Sequence, residues 1–294
     1  MRDRVLRDDT VGTHTIGDKA VRRLGFGAMR VSGARNAEGV RDREEGRKLY
    51  RRAYERGVNF FDTANIYGYG ESEELLAEAM HPYPADLLIG TKAGFRPGKI
   101  EPGRTSLPPL GDPTHIKEEC DKSLRRLRVD VIDLYQVHVP DPDVPYEDTV
   151  GAFVELQQAG KVRHIGVSNV TLEQLELARS LCTVVSVQNA YNVARRQSEE
   201  VLRFCEAHDI AFIPHSPNIL RNPDADAVVA DIARAHGASA QQVCVAWLLR
   251  HSPVNVPIPG TSKLGHLDDN IDAAWLELTD DDMVRLDALG AAAV

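Results

Sequence analysis

The feature that most constrains this chain is the repetition of short apolar runs with strand character between longer stretches with helical spacing and charged faces. The runs lie at residues 23–26, 59–63, 87–92, 131–138, 164–168, 184–188, 211–215 and 255–258. Their spacing gives units of about 33 residues, as expected for an eightfold strand and helix repeat. The pattern therefore predicts an α/β fold, a (β/α)8 TIM barrel formed as a single domain by residues 1–294.

Local signals support the helices and add a hairpin. Gly57, Gly160 and Gly237 each follow a helical stretch, where a left-handed C-terminal cap favours glycine. Ahead of the first strand, residues 13–21 predict two short strands around a Gly-Asp turn, an N-terminal β-hairpin that would close the bottom of the barrel.

A doubly wound open sheet is the competing topology. Such sheets commonly carry a GxGxxG motif after their first strand, with the third glycine allowing close packing of helix on strand. Here the first strand is followed by GFGAMR, which has no third glycine. The barrel is therefore favoured.

Composition excludes several classes of protein. The 35 basic and 44 acidic residues give a net charge of −9, which disfavours nucleic acid as a partner. No apolar run approaches the roughly 18 residues of a membrane helix, and residues 1–10 are too charged for a signal peptide. The four cysteines, Cys120, Cys182, Cys205 and Cys244, show no metal-binding or redox spacing. We expect a cytoplasmic protein with reduced thiols and no metal.

In a barrel, reactive groups come from the carboxyl ends of the strands. The polar residues that close the apolar runs are Asp62, Lys92, His138, Ser168 with Asn169, Gln188 and His215. These residue types suit proton transfer and the anchoring of a ligand.

The first three of these side chains can act together with Tyr67. A tyrosine needs help to release its proton at neutral pH, and a neighbouring ammonium such as Lys92 provides it. A buried lysine needs a counter-charge, a role that suits Asp62. A neutral His138 would donate a hydrogen bond to a carbonyl oxygen. Taken singly, each residue also has an ordinary structural role open to it, as a cap, a rim aromatic, a solvated strand end or a core histidine.

Other barrel chemistries fit the same positions less well. Glycoside hydrolysis needs two carboxylates across the mouth, and only Asp62 qualifies, because Asp133 lies within a strand and Asp141 in a loop. Metal-dependent hydrolysis needs clustered ligands, and the VHV segment around His138 offers one histidine.

Six segments follow one another along nearly the whole chain: GVNFFDTANIYGYGESEELL, GTKAGF, VDVIDLYQVH, KVRHIGVSNV, VVSVQNAYN and VPIPGTSKLGHLDDN. In these segments the chain resembles the aldo-keto reductase family. Within that family, the segments TIGDKAVRRLGFGAMRVSG and HPYPADLLIGTKAGFR are similar to bacterial enzymes of the pyridoxal reductase type. The resemblance implies a nicotinamide-dependent oxidoreductase that reduces an aldehyde or ketone, with Tyr67 as proton donor and Asp62, Lys92 and His138 completing a catalytic tetrad.

The resemblance also implies a cofactor lying across the barrel mouth, NADP(H) rather than NAD(H), with NAD(H) left open. Ser168, Asn169 and Gln188 would hold the nicotinamide carboxamide. The last loop would grip the adenosine phosphate and adenine with residues Gly260, Thr261, Ser262, Lys263, His266 and Asn270. His266 stands where many relatives carry arginine, and His215 where many carry a stacking tyrosine. Ser216 and Asn218 would meet the cofactor's phosphates and ribose.

The substrate pocket is expected to be walled by Met29, Tyr69, Phe95 and the 94–113 loop. The Arg96, Lys99 and Arg104 side chains of that loop form a solvated charged surface or, as the alternative, attract an anionic substrate. The resemblance implies pyridoxal as the leading small-molecule substrate, with sugar-derived and polyketide-like carbonyls left open. Two other functions also remain: a catalytically idle scaffold of the same fold and a hydrolytic barrel enzyme. The oligomeric state is not predicted.

Overall fold

The computed structural model describes residues 4–98, 107–217 and 222–291. The strands are β1 (Thr13–Ile16), β2 (Lys19–Arg22), β3 (Phe26–Gly27), β4 (Phe60–Asp62), β5 (Leu88–Ala93), β6 (Ile132–Val137), β7 (Val162–Ser168), β8 (Val184–Gln188) and β9 (Ala211–Phe212). The α-helices are α1 (Asp8–Val11), α2 (Arg43–Glu55), α3 (Glu71–Met80), α4 (Pro113–Leu127), α5 (Tyr146–Gln158), α6 (Leu172–Leu181), α7 (Glu199–His208), α8 (Pro223–His236), α9 (Ala240–His251), α10 (Leu264–Asp272) and α11 (Asp280–Ala291). Short 3-10 helices span Ala28–Gly33, Tyr67–Gly70 and Ala273–Trp275.

Strands β3 to β9 form one parallel sheet in chain order, with helices between most successive strands. This order brings the carboxyl ends of the strands to one side, as the register pairs Gly27 with Asp62 and Ser168 with Gln188 show. The predicted α/β barrel architecture is confirmed.

The segment 254–259 closes the barrel between β9 and β3. Val256 N donates to Phe212 O at 2.8 Å on one side, and Gly25 N donates to Pro257 O at 2.9 Å on the other. The eighth strand predicted at 255–258 is not a regular strand, because Pro257 and Pro259 have no N–H to donate to a ladder. The closure depends on close backbone approach, since a Cβ on Gly27 would lie 2.6 Å from Ile258 O.

Two further predicted strands are shorter than expected. The first, predicted at 23–26, is a strand only over Phe26–Gly27, and Arg23 instead directs its guanidinium to the carbonyl oxygens of Val11, Leu249 and Ser252. The seventh, predicted at 211–215, ends at Phe212. Its hydrogen bonding continues irregularly past Pro214, with His215 N donating to Asn189 O at 3.0 Å.

The predicted N-terminal hairpin is present as the antiparallel pair β1 and β2. Ile16 and Val21 pack in one buried cluster with interior residues of the barrel such as Phe60 and Leu134. Lys19 Nζ donates to Asp133 Oδ2 at 3.1 Å, near the amino end of β6. The hairpin thus covers the amino end of the barrel and leaves the carboxyl end open.

The helix ends conform to the local signals. Gly57, Gly160 and Gly237 adopt left-handed φ angles of 89°, 73° and 61° within two residues of the ends of α2, α5 and α8. The four cysteines are free thiols, and burial raises the pKa of Cys120 to about 12. Within the part of the chain that the structure describes, no helix is long and apolar enough to cross a membrane. The prediction of a single domain over residues 1–294 stays a prediction.

Candidate active site

A cavity of about 940 Å³ opens at the carboxyl ends of the strands. It brings together most of the residues predicted from sequence. These are Met29, Asp62, Tyr67, Phe95, His138, Ser168, Asn169, Gln188, His215, Ser216, Gly260, Thr261, Ser262, Lys263, His266 and Asn270. Lys92 is fully buried and bonds to Asp62 at the edge of this cavity.

The ammonium of Lys92 is held by β4. Lys92 Nζ donates to Asp62 Oδ2 at 2.6 Å and to Thr63 O at 2.8 Å. Burial works against the charge on Lys92, but the charge and hydrogen bonds of Asp62 and Tyr67 together outweigh it, and the pKa of Lys92 is raised. The lysine is therefore an ammonium throughout the neutral pH range.

The second oxygen of Asp62 accepts hydrogen bonds from two amides. Gln188 Nε2 lies 2.8 Å and Gln136 Nε2 lies 3.1 Å from Asp62 Oδ1. Gln136 was missed because only strand-closing residues were considered. Gln136 lies on β6, two residues before His138, which follows the strand. The two-residue period of a strand places both side chains on one face. Gln136 also pairs in register with Lys92 on β5.

Tyr67 opens a 3-10 helix directly beside this pair. Lys92 Nζ lies 5.3 Å from the centroid of the Tyr67 ring, and the ring meets His138 edge-on with centroids 6.0 Å apart. Desolvation raises the pKa of Tyr67, and the positive charge of Lys92 acts in the opposite direction. The phenol is thus protonated at neutral pH and has an ammonium nearby to stabilise its conjugate base.

The structure does not place Tyr69 at the cavity, where it was expected to form a wall. Tyr69 is 66% exposed and does not line the cavity. The reason is the turn after Tyr67, in which Gly68, Tyr69 and Gly70 take successive φ angles of 61°, 59° and 94°. A tyrosine at positive φ is strained, and such strain is commonly found at functional sites.

His138 is a neutral imidazole. Desolvation, followed by the charges of Lys92 and His215, holds its pKa well below the usual range of histidine. Its Nδ1 atom is buried and has no hydrogen-bond partner among the described residues. The Phe95 ring packs edge-on against it with centroids 4.6 Å apart. A neutral ring can donate a hydrogen bond without competing for the proton of Tyr67.

Asn169 and His215 are joined across the mouth. His215 Nε2 lies 3.0 Å from Asn169 Oδ1, and Asn169 Nδ2 donates to His138 O at 2.9 Å and Ser168 Oγ at 3.0 Å. Asn169 and Ser216 both have positive φ angles, 58° and 56°. Desolvation lowers the pKa of His215 to about 4, so this ring is also neutral. Asn218 lies outside the described residues.

The far end of the cavity is formed by the start of α10. Lys263 is the N-cap residue and provides no side-chain cap, so the first backbone N–H groups of the helix are left for a ligand. The Lys263 N–H itself donates to Thr261 Oγ1 at 3.1 Å. Sequence reasoning did not name Arg30, Gln241 and Asp269, which also line the cavity. Arg30 had a local signal, since it follows Met29 after the first strand, and Asp269 lies within the GTSKLGHLDDN segment assigned to the cofactor. Gln241 had none.

The loop at 94–113 is described at its base only. Arg96 N donates to Pro108 O at 2.9 Å, and Leu110 N donates to Gly94 O at 2.8 Å. This pairing brings Phe95 and Leu107 to the cavity wall, whereas Arg96 does not line the cavity. Lys99 and Arg104 lie outside the described residues.

Comparison with known proteins agrees with this site. The model of the aldo/keto reductase family matches residues 23–291. The chain belongs to the aldo/keto reductase family. It is an NAD(P)H-dependent oxidoreductase, which leaves the hydrolytic alternative without support. Among the described residues, no cluster of histidine, cysteine and acidic side chains suits a metal ion.

Individual relatives of the reductase are similar along almost their whole length. An uncharacterized oxidoreductase of Schizosaccharomyces pombe is 40% identical, covering 95% of this chain and 90% of its own. Pyridoxine 4-dehydrogenase of Escherichia coli is 36% identical, covering 94% and 98%. A Klebsiella pneumoniae aldo-keto reductase solved with NADPH superposes with a TM-score of 0.77 at 26% identity, covering 94% of each chain.

The reductase anchors α10 through a buried arginine. Arg56 is 1% exposed and ion-pairs with Asp268 and with Asp272, the latter at 2.6 Å. Both aspartates lie on α10, whose first turn lines the cavity. Since a buried guanidinium fixes its partners in a planar geometry, this contact holds the second half of α10 against the end of α2.

Proposed function

We propose that this protein reduces an aldehyde or ketone to an alcohol with NADP(H), and that Tyr67 is the proton donor. The observation that carries the proposal is the buried Lys92–Asp62 pair, with its 2.6 Å contact, beside the ring of Tyr67 and a neutral His138. An ammonium, a phenol and a neutral imidazole around one cavity are the groups that carbonyl reduction requires.

The residues present fit a nicotinamide cofactor. The unpartnered Nδ1 of His138 and the uncapped start of α10 both leave polar groups that a ligand would satisfy. Ser168, Asn169 and Gln188 would hold the carboxamide, and His215 would stack on the ring. Ser216 and Asn218 would meet the phosphates and ribose, and residues Gly260, Thr261, Ser262, Lys263, His266 and Asn270 would hold the adenosine end. When bound, the reduced cofactor supplies a hydride.

The side chains of this protein donate the proton and stabilise the group that has lost it. A carbonyl oxygen held by Tyr67 and His138 would receive the proton of the Tyr67 hydroxyl as the carbonyl carbon becomes reduced. Lys92 stabilises the resulting tyrosinate, and Asp62 keeps Lys92 charged in a buried position. His138 polarises the carbonyl with an N–H bond and, being neutral, does not supply the proton itself.

The choice between the two nicotinamide cofactors depends on the far end of the cavity. Lys263 contributes a basic side chain beside the start of α10, which favours the additional phosphate of NADP(H). His266 contributes positive charge only when protonated, so NAD(H) is expected to bind more weakly rather than not at all.

The leading substrate is a pyridoxal-like aldehyde. The support comes from the 36% identity to pyridoxine 4-dehydrogenase across nearly the whole of both chains. Met29, Phe95 and Leu107 line the cavity and give it apolar walls for an aromatic ring. The free thiols at all four cysteines agree with a cytoplasmic location.

A substrate panel tests this function. NADPH or NADH oxidation is followed at 340 nm with pyridoxal, aromatic aldehydes, sugar-derived aldehydes and aliphatic ketones. Turnover of pyridoxal with a higher kcat/KM for NADPH than for NADH is expected. Tight NADPH binding without turnover of any carbonyl would instead favour the idle scaffold, and absence of a fluorescence change with NADPH would contradict cofactor use altogether.

A further inference from the structure

We propose that the first turn of α3 positions Lys92 against Tyr67. The buried side chains of Ser72 and Glu73 in that turn are then positioning residues of the reaction. The inference rests on the proposed function, because it concerns the same proton transfer. Neither residue lines the cavity, and each is 0% exposed.

Ser72 is a junction of three chain segments. Thr63 Oγ1 donates to Ser72 Oγ at 2.9 Å, and Ser72 Oγ lies 3.2 Å from Ala28 O. The hydroxyl of Tyr50 on α2 lies 2.8 Å from the same serine oxygen. One hydroxyl therefore ties together the loop after β3, the loop after β4 and α2. A buried network in which the members satisfy one another fixes one arrangement of those loops.

Thr63 carries this contact to the ammonium. Its side chain bonds to Ser72, and its carbonyl oxygen accepts the second hydrogen bond of Lys92 at 2.8 Å. Thr63 also follows Asp62, which accepts the first hydrogen bond. The acceptors at Asp62 and Thr63 thus belong to a two-residue segment that Ser72 holds.

Glu73 holds the lysine from the other side. It accepts a hydrogen bond from Thr91 Oγ1 at 2.6 Å, and Thr91 directly precedes Lys92 on β5. Its other oxygen accepts from Arg126 Nε at 2.6 Å. Burying a carboxylate is costly and a hydrophobic residue would stabilise the fold as well or better, so a positional role accounts for a charge here.

The same turn fixes Tyr67. Glu71 begins α3 immediately after the 3-10 helix that Tyr67 opens. Gly70 packs so tightly on Arg126 that a Cβ there would lie 2.6 Å from the Arg126 Cδ atom. Arg126, bonded to Glu73, therefore buttresses the turn that carries Tyr67. The relative position of phenol and ammonium depends on this single helical turn.

Loosening the first turn of α3 should weaken the effect of the Lys92 ammonium on the pKa of Tyr67. In the alcohol-oxidation direction Tyr67 must accept a proton, so activity rises with pH through its apparent pKa. With Lys92 further away, that pKa rises, because the ammonium no longer opposes desolvation. KM for the alcohol should change little, since neither residue touches the cavity.

The test compares pH profiles of kcat for alcohol oxidation in the wild type, Ser72→Ala and the isosteric Thr63→Val. Both variants are expected to show a midpoint raised by half a pH unit or more and a kcat lowered roughly tenfold. Thr149→Val is the matched control. Its hydroxyl is equally buried and bonds to Gly111 O at 2.8 Å, away from the tetrad, and its profile should match the wild type.

Two readouts separate the possible failures. Variants that lose thermal stability but keep the wild-type midpoint would show a structural role only and overturn the inference. A Tyr67→Phe variant that retains turnover would overturn the proposed function instead. Crystal structures of the wild type and Thr63→Val provide a measure independent of activity, since an unchanged distance of Lys92 Nζ from the Tyr67 ring centroid would also contradict positioning by the turn.

Discussion

Lys92 and Asp62 form an ion pair in which Nζ lies 2.6 Å from Oδ2 while the two side chains are 0% and 2% exposed. Neither charge is in water, so the attraction between the two charges must offset the cost of burying them. Substitutions in this pair therefore test both the chemistry of the cavity and the stability of the barrel.

Asp62→Asn should destabilise the protein and discharge Lys92. Without the carboxylate, burial dominates and the pKa of Lys92 falls, because Asp62 is the main group that raises it. A loss of about 3–5 kcal/mol in the free energy of unfolding is expected, as for other broken buried pairs. Urea denaturation measures it.

Asp133→Asn is the matched control for that loss. Asp133 pairs with Lys19 at 3.1 Å, but both side chains are about one fifth exposed, at 20% and 22%. Because water reaches both of these side chains, the expected loss is smaller than for the fully buried Asp62. Equal losses in the two variants would contradict the importance of burial at Lys92.

Tyr67→Phe should abolish most turnover while leaving NADPH affinity nearly unchanged. The ring that faces His138 is kept and only the proton is lost, so the expected fall in kcat is roughly 10²- to 10⁴-fold. Steady-state kinetics with pyridoxal measure the loss of turnover, and a fluorescence titration with NADPH measures the affinity for the cofactor. Turnover near that of the wild type would remove Tyr67 from the mechanism.

The neutral histidines predict a loss of stability in acid. In the folded protein the pKa of His215 is about 4, against 6.5 for an unperturbed histidine. The unfolded chain therefore binds more protons between these values, and stability falls as the pH is lowered from about 6.5 toward 4. The full linkage for His215 amounts to about 3 kcal/mol.

His215→Gln tests the share of that residue. Gln retains a donor near the position of Nε2, which bonds to Asn169 Oδ1, but it does not titrate. The dependence of the thermal midpoint on pH should become shallower between pH 6.5 and 4. An unchanged slope would assign the acid lability to other groups, of which the buried His138 is the foremost.

Gly260→Ala should destabilise the closure of the barrel. A Cβ at this position would clash with the carbonyl oxygen of Gly27, a backbone atom that cannot move aside alone. The expected cost is about 1–3 kcal/mol, as for other overpacked sites. Gly265→Ala, in α10 with no atom near its Cβ, should be neutral or stabilising because alanine favours helix.

Much of the site could be predicted because it follows from local patterns. The two-residue period of strands and the common direction of parallel strands place Asp62, Lys92, His138, Ser168 and Gln188 at one end. Helix caps such as Gly57 and Gly237 follow from backbone chemistry within a few residues. Such signals are complete within a short stretch of sequence, and the family resemblance adds roles to residues that the pattern has already brought together.

The tertiary structure alone decided the rest. Gln136 reaches Asp62 from a segment far along the chain. Ser72 bonds to Thr63 and Glu73 bonds to Thr91 through side-chain contacts that the packing of α3 on the sheet creates. The closure through residues 254–259 depends on close backbone approach to Gly25 and Gly27. Tyr69 is turned away from the cavity by a run of left-handed residues, a backbone conformation that no local periodicity specifies. The amino-acid sequence determined which chemical groups each strand end carries. Their distances, protonation states and supporting contacts were decided by packing, because those properties depend on which distant segments become neighbours once the barrel is closed.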